Sequence, residues 1–260
     1  MHFSFKTTFL GLSVLLFIAA CKGKDEEPLP SCTGVIWGYE DTDGPDYWAE
    51  LCIDYTPCGG PVQSPVNLLG TIYDPTLTDI AQTYSASGTH ILNTGHSLQL
   101  NYDAGSSVFV DGDTYPLVQF HTHTHSEHAL YGREFPMELH FVHKNAATGK
   151  IVVIGVFVEE GAENSLLAGF IPYLPATKNG TYDDATATFS ALSFMPADKS
   201  YFKYAGSLTT PPCSEVVTWV VMEHSITASA AQIAAFKMLE NENARPHQAL
   251  GGRTIQYHKG

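Results

Sequence analysis

The chain has 260 residues, with 27 acidic against 13 basic side chains and a formal net charge of −14. Hydrophobic residues at 44% and charged residues at only 15% support a packed core and exclude a charge-rich disordered chain. The acidic excess excludes nucleic acid as a natural partner, and 22 glycines with 15 prolines argue against a bundle of long helices.

Residues 1–20 read as a signal peptide, with Lys6 as their one lysine, arginine or acid and an apolar run over residues 9–20 that is short for a bilayer span. The run ends Ile18-Ala19-Ala20-Cys21, which resembles a bacterial lipobox; Cys21 is therefore expected to carry lipid. Residues 21–34 then read as an acidic tether and residues 35–260 as one domain, exported and lipid-anchored to the bacterial envelope. An exported chain meets oxidising conditions, so cysteines are read as disulfides first. With Cys21 set aside, Cys32, Cys52, Cys58 and Cys213 form an even set open to three pairings. The close CxxC spacing of a thiolate zinc site is absent.

Short β-rich runs are expected at residues 89–102, 107–110, 115–123, 137–143, 151–158 and 215–221, bounded by turn signals such as Asp111-Gly112-Asp113. Two stretches are predicted helical, residues 164–174 and 229–240. The second has Ser229 or Thr227 as N-cap and Ile233, Phe236 and Leu239 near the helical period. The expected fold is α+β and β-dominated: a single domain around a large, central, mostly antiparallel sheet with short peripheral helices.

The chemistry concentrates in Gln119-Phe120-His121-Thr122-His123-Thr124-His125-Ser126-Glu127-His128 and in Glu138-Leu139-His140. On a strand, side chains two apart share a face, so His121 and His123 can converge on one metal, and an adjacent strand can set His140 opposite them. Three neutral nitrogens with an open fourth position make a catalytic rather than a structural zinc site. Gln119 and Glu138 each precede a candidate ligand by two residues, where they can accept its other ring N–H. An HxH followed by glutamate four residues on also opens the cupin metal motif, but the PxG expected ahead of the last histidine is missing before His140.

Ordered blocks make the resemblance specific: Trp37-Gly38-Tyr39, Gln63-Ser64-Pro65-Val66, Asn93-Thr94-Gly95-His96, residues 119–127, Glu138-Leu139-His140, Gly206-Ser207-Leu208-Thr209-Thr210-Pro211-Pro212, Val217-Thr218-Trp219 and Arg245-Pro246. Over nearly all of residues 36–256 the chain resembles an α-class carbonic anhydrase. The resemblance implies Zn2+ on His121, His123 and His140, a gatekeeper pair of Glu127 and Thr209, and a proton-shuttle histidine at His96. It also implies a water-ordering Tyr39 and a carbon dioxide site formed by Val142, Val153, Leu208, Thr210 and Trp219. Cys58 and Cys213 match the disulfide of extracellular members, which leaves Cys32 and Cys52 as the second pair. Three positions depart from the pattern: His125 stands where bacterial members often have proline, and Thr94 and Gln99 stand where asparagine is frequent.

The expected activity is hydration of carbon dioxide to bicarbonate and a proton, by zinc-hydroxide attack with proton export through His96. Its rivals are a catalytically silent carbonic-anhydrase-like binding protein, which would be expected to have lost a zinc ligand, and a cupin-like metalloprotein.

Overall fold

The computed structural model describes residues 1, 2, 4 and 28–260. Apart from residues 1, 2 and 4, the expected signal peptide lies outside the described residues, as do Cys21 and the rest of the tether up to residue 27. Among the described residues no helix is long and apolar enough to cross a membrane.

The core of the molecule is a mixed sheet of thirteen strands. Ten of them, in chain order, are β1 (Ile72–Tyr73), β2 (Ser87–Asn93), β3 (Leu98–Asn101), β4 (Asp113–His123), β5 (Met137–Lys144), β6 (Ile151–Glu160), β7 (Thr181–Phe189), β8 (Tyr201–Gly206), β9 (Val217–Met222) and β10 (Gln256–His258). In space they run β7-β2-β3-β4-β5-β6-β9-β8-β10-β1. Neighbours on this path are antiparallel except β6–β9 and β10–β1, so the sheet is mostly antiparallel, as expected. The helices are short and peripheral: α1 (Trp48–Leu51), α2 (Ser165–Phe170) and α3 (Ala230–Glu240).

The sheet is buried on both faces at its centre. Every residue of β6 from Ile151 to Val158 is buried, which is why that stretch reads as an unbroken apolar run rather than an alternating one. Alternation nevertheless sorts its side chains. Val152, Ile154, Val156 and Val158 join Phe120, Leu139 and Phe141 in one core, while Ile151, Val153 and Phe157 join Trp219 and Val221 in another. The first face is a conventional aromatic core; Phe120 packs on Phe141, Phe170, Phe189 and Phe194 with ring centroids 5.1–6.4 Å apart. The second face carries the histidines.

The expected run over residues 89–102 is two strands, β2 and β3. Between them Thr94 Oγ1 accepts the amides of His96 and Ser97, and Gly95 takes φ +85°, a turn that alternation alone does not reveal. The helix expected over residues 164–174 is α2, capped by the Asn164 side chain, followed by a single 3₁₀ turn at Ile171–Tyr173. Four of these ten strands were not expected. β1 is two exposed residues. β7 is a mostly exposed edge rich in aspartate and threonine, β8 is buried at four of its six positions, and β10 is three residues long.

A third, smaller cluster gathers Trp48, Cys58 and Cys213 with Trp37, Tyr39 and Tyr55. Both expected disulfides are formed, Cys32–Cys52 and Cys58–Cys213. The second spans 155 residues and ties the loop carrying Thr209 and Thr210 to the start of the domain.

Of the two N-cap candidates for α3, the structure uses Ser229. Its hydroxyl accepts the Gln232 amide and the Gln232 side chain accepts the Ser229 amide, a reciprocal box. Replacing Ser229 with alanine leaves one orphan helix amide, and chemical denaturation should show a loss of about 1 kcal/mol.

Candidate active site

The register of β4 and β5 builds the site. His121 pairs directly with His140, and His123 lies one two-residue step further on the same face. The three rings stand 4.6–5.4 Å apart, centroid to centroid, and one nitrogen from each lies within 4.8 Å of the other two. Hydrogen bonds decide which nitrogens these are. His121 Nδ1 is 2.9 Å from Gln119 Oε1, His123 Nδ1 is 2.8 Å from the Asn243 carbonyl, and His140 Nε2 is 2.9 Å from Glu138 Oε1. Both expected supports, Gln119 and Glu138, are therefore in contact with their ligand candidates.

With those bonds made, His121 Nε2, His123 Nε2 and His140 Nδ1 remain without hydrogen-bond partners and face one another. His123 Nε2 is fully buried and orphaned, an arrangement that is costly unless a cation accepts the lone pair. The donor set fits a divalent metal bound by imidazole. His128, Glu138 and His140 form a second close group, but their nitrogens and oxygens already bond to one another and to Tyr204. That group supports the site rather than offering a second one.

Glu138 is the anchor of this support. Its Oε2 accepts the amides of Glu127 and His128, and its Oε1 takes His128 Nδ1 and His140 Nε2. Burial alone would raise its carboxyl, yet His128 and His140 hold it well below the usual range. Burial pulls His140 down, but Glu138 and Glu127 together bring it out above an ordinary histidine. His121 is pushed well down, by burial first and then by His123 and His140; His123 is lowered, mainly by burial. Two of the three imidazoles are thus held neutral, the form a metal requires. Gly155, opposite His140 on β6, makes room for the anchor: a Cβ there would lie 2.8 Å from Glu138 Oε1.

A cleft of about 210 Å³ opens over the histidines, lined by Trp37, Tyr39, Thr94, His96, Ser97, Gln99, Gln119, His121, His123 and Thr210. Tyr39 and His96 are therefore at the cleft, as expected, and so are the two departures Thr94 and Gln99. Burial, reinforced by Glu127 and Glu240, raises the Tyr39 phenol well above its usual value. His96 is lowered by burial and by Lys178, with Asp43 opposing, so its ring is neutral at pH 7. Val142, Val153, Leu208 and Trp219 share one apolar cluster, and Val153 pairs with Val142 on one side and Trp219 on the other. This wall continues from His140, whose ring centroid is 4.8 Å from that of Trp219.

The two residues expected as a gatekeeper pair, Glu127 and Thr209, are not joined by a hydrogen bond. Glu127 Oε1 accepts the Arg245 amide, while Oε2 is buried without a hydrogen-bond partner and lies 3.5 Å from His123 Nε2 and 3.8 Å from His140 Nδ1. Thr209 is buried, and among the described residues it makes no hydrogen bond to Glu127, because Oε2 turns toward the imidazoles. His125 stays out of the cluster. Its Nδ1 is 2.7 Å from the Ser126 carbonyl, and its half-exposed ring stands beside Glu134.

The end of α3 and the segment after it carry Glu240 and Asn243, which sequence reasoning missed, and Arg245, which it quoted only as part of a motif block. The Asn243 carbonyl orients His123, its Oδ1 takes the Thr124 amide, and its Nδ2 donates to the carbonyls of Thr122 and His96. Arg245 donates to Gln63, Ser64 and Cys58 and stands over Trp48. Asn-x-Arg after a helix carries no local signal of such a role. Nor does Glu240, whose Oε1 accepts the Leu98 amide and the Thr122 hydroxyl while Oε2 is buried without a partner. Burial lifts this carboxyl to about 8.

A folded-state value above the unfolded one means that the native protein holds the proton more tightly. Stability is then full near pH 4 and falls as pH rises toward 8, by about 3–5 kcal/mol for a group this displaced. Glu240→Gln should flatten that fall, and denaturant midpoints measured from pH 5 to 9 should converge in acid and separate in alkali.

Three comparisons bear on this geometry. The family description "eukaryotic-type carbonic anhydrase" matches residues 43–259. A carbonic anhydrase of Pectobacterium carotovorum is 38% identical over 250 residues, covering 94% of this chain and 98% of its relative. Among solved structures, a hyperthermostable carbonic anhydrase from a hydrothermal vent chimney superposes with a TM-score of 0.82 at 38% identity, covering 86% of this chain and 100% of that one. The α-carbonic anhydrase of Thermovibrio ammonificans, in complex with the inhibitor sulfanilamide, gives 0.81 at 34% identity, covering 86% and 99%. The chain belongs to the α-carbonic anhydrases, lyases that reversibly hydrate carbon dioxide to bicarbonate.

Proposed function

We propose that His121, His123 and His140 hold Zn2+ through Nε2, Nε2 and Nδ1 respectively, and that the cleft above them is where carbon dioxide is hydrated. The observation that carries this reading is the convergence of three unpartnered ring nitrogens, each fixed by a hydrogen bond on its far side. A zinc ion on neutral ligands lowers the pKa of a bound water to about 7.

The chain's own residues supply the rest. Val142, Val153, Leu208 and Trp219 present an apolar surface to a neutral, apolar substrate, with Thr210 at the mouth. Glu127 Oε2 is the acceptor left for the Thr209 hydroxyl; once that bond forms, the Thr209 oxygen can act only as an acceptor and orients whatever donor stands over the histidines. His96 and Tyr39 line the same cleft, and the neutral His96 ring takes the released proton and passes it to solvent. Gln119, Glu138 and the Asn243 carbonyl keep the ligand rings in the required tautomers.

Stopped-flow hydration of carbon dioxide tests this directly. The protein should be active when loaded with zinc, lose activity to a chelator and be blocked by a sulfonamide; zinc-loaded protein without hydration activity would overturn the reading. His96→Ala should lower kcat in weak buffer by at least about tenfold, and added imidazole should restore it.

We also propose that the domain is an exported lipoprotein held to the bacterial envelope through Cys21. The sequence Ile18-Ala19-Ala20-Cys21 supports this, as do two disulfides, bonds that persist in oxidising compartments. Cys21→Ser should move the protein from the membrane to the soluble fraction; retention in the membrane would count against the anchor.

A further inference from the structure

His96 sits in the cleft with its backbone well tied and its ring loosely held. Its amide donates to Thr94 Oγ1 at 3.1 Å and its carbonyl accepts from Asn243 Nδ2 at 3.0 Å. Among the described residues the ring makes no hydrogen bond. What it does have is Trp37, whose indole lies flat against it at 3.8 Å, with 9° between the planes. The orientation of the ring therefore depends on where Trp37 is held.

Trp37 belongs to a stretch, residues 31–40, that is in no strand or helix. Two things hold it. On one side is Trp48, fully buried, which meets Trp37 edge-on at 5.4 Å; its indole N–H donates to the carbonyls of Gly38 and Asp43, pinning the backbone on either side of Tyr39. On the other side is the Cys32–Cys52 bridge, which closes the chain around Trp37, Tyr39 and Trp48. Backbone bonds gather at the same point: Ile53 donates to the Pro30 carbonyl, Asp54 to Cys32 Sγ and Val35 to the Cys32 carbonyl. Only the bridge is covalent.

We infer that the Cys32–Cys52 disulfide is a positioning device for the His96 ring, acting through the aromatic loop that it closes. This rests on the reading of His96 as the proton relay. The loop that the bridge closes meets the site chiefly through the Trp37–His96 stack, so its main effect is on proton export. A ring freed from the Trp37 face samples more orientations, and fewer of them point into the cleft. The other bridge, Cys58–Cys213, bears on the loop carrying Thr209 and Thr210 and so on the chemical step itself.

The test compares the Cys32→Ser/Cys52→Ser double variant, Trp37→Ala and His96→Ala with the parent protein, all zinc-loaded and with zinc content measured. Stopped-flow hydration in weak buffer should show kcat lowered by about tenfold in the double variant and in Trp37→Ala. In both, kcat/KM should be unchanged and imidazole should restore kcat. Wild-type kcat in the double variant, with His96→Ala impaired, overturns the inference and leaves the relay standing; wild-type kcat in His96→Ala overturns the relay itself. Equal losses of kcat and kcat/KM without imidazole rescue would make the bridge a general structural support and also overturn the inference. Should the double variant fail to fold, Trp37→Ala decides, because wild-type kcat there breaks the link between loop and ring.

Discussion

Everything at this site depends on hydrogen bonds made on the far side of three imidazole rings. A neutral histidine has one nitrogen that donates and one that accepts, so fixing the donor fixes the acceptor. Gln119, the Asn243 carbonyl and Glu138 take the N–H groups of His121, His123 and His140, and the three lone pairs are left with a single place to point. The sheet provides the spacing and these bonds provide the direction. Remove either and the same three histidines become ordinary buried residues.

The supports come from unlike parts of the chain, which is why they act as a single unit. Gln119 and Glu138 lie on the strands of the ligands they hold, but Asn243 comes from the segment behind α3. That segment also holds the His96 backbone through Asn243 and the Glu127 side chain through the Arg245 amide. The far end of the domain thus closes over the sheet and brings His96, His123 and Glu127 under one strap. Glu138 extends the same logic inward, through His128 to Tyr204 and Ser64.

The parts legible in the sequence were those with local periodicity. HxH on a strand, the supporting residue two positions earlier and the opposed His140 follow from alternation, while the apolar wall at Val142, Val153 and Trp219 was implied by the family resemblance. The Cys58–Cys213 bridge came instead from the family resemblance, which left Cys32–Cys52 as the remaining pair, and Ser229 was one of two cap candidates. The residues that escaped, Asn243, Tyr204 and Glu240, act through contacts with residues far away in the chain, where no local pattern forms. The strands β7 and β8 escaped for a related reason: one is a mostly exposed edge, and the other opens with Tyr201 and Phe202 buried in two different cores, so neither reads as a clean apolar–polar alternation. The bond from Glu127 to Thr209 illustrates a different limit, because both residues were found but the carboxylate oxygen faces the imidazoles instead.

The two faces of the sheet also divide how substitutions should be tolerated. Along β4, β5 and β6, Phe120, Phe141 and Val152 enter the aromatic core, while on the other face His121 and His140 join the histidine cluster and Val153 the second apolar cluster. Neighbours in sequence therefore answer to different demands, one to folding and the next to chemistry, with almost no residue serving both. Such a strand can drift in its core packing while keeping its reaction, or change its reaction while keeping its fold. What it cannot survive is a one-residue shift in register, which would send phenylalanine into the cleft and histidine into the core in a single step.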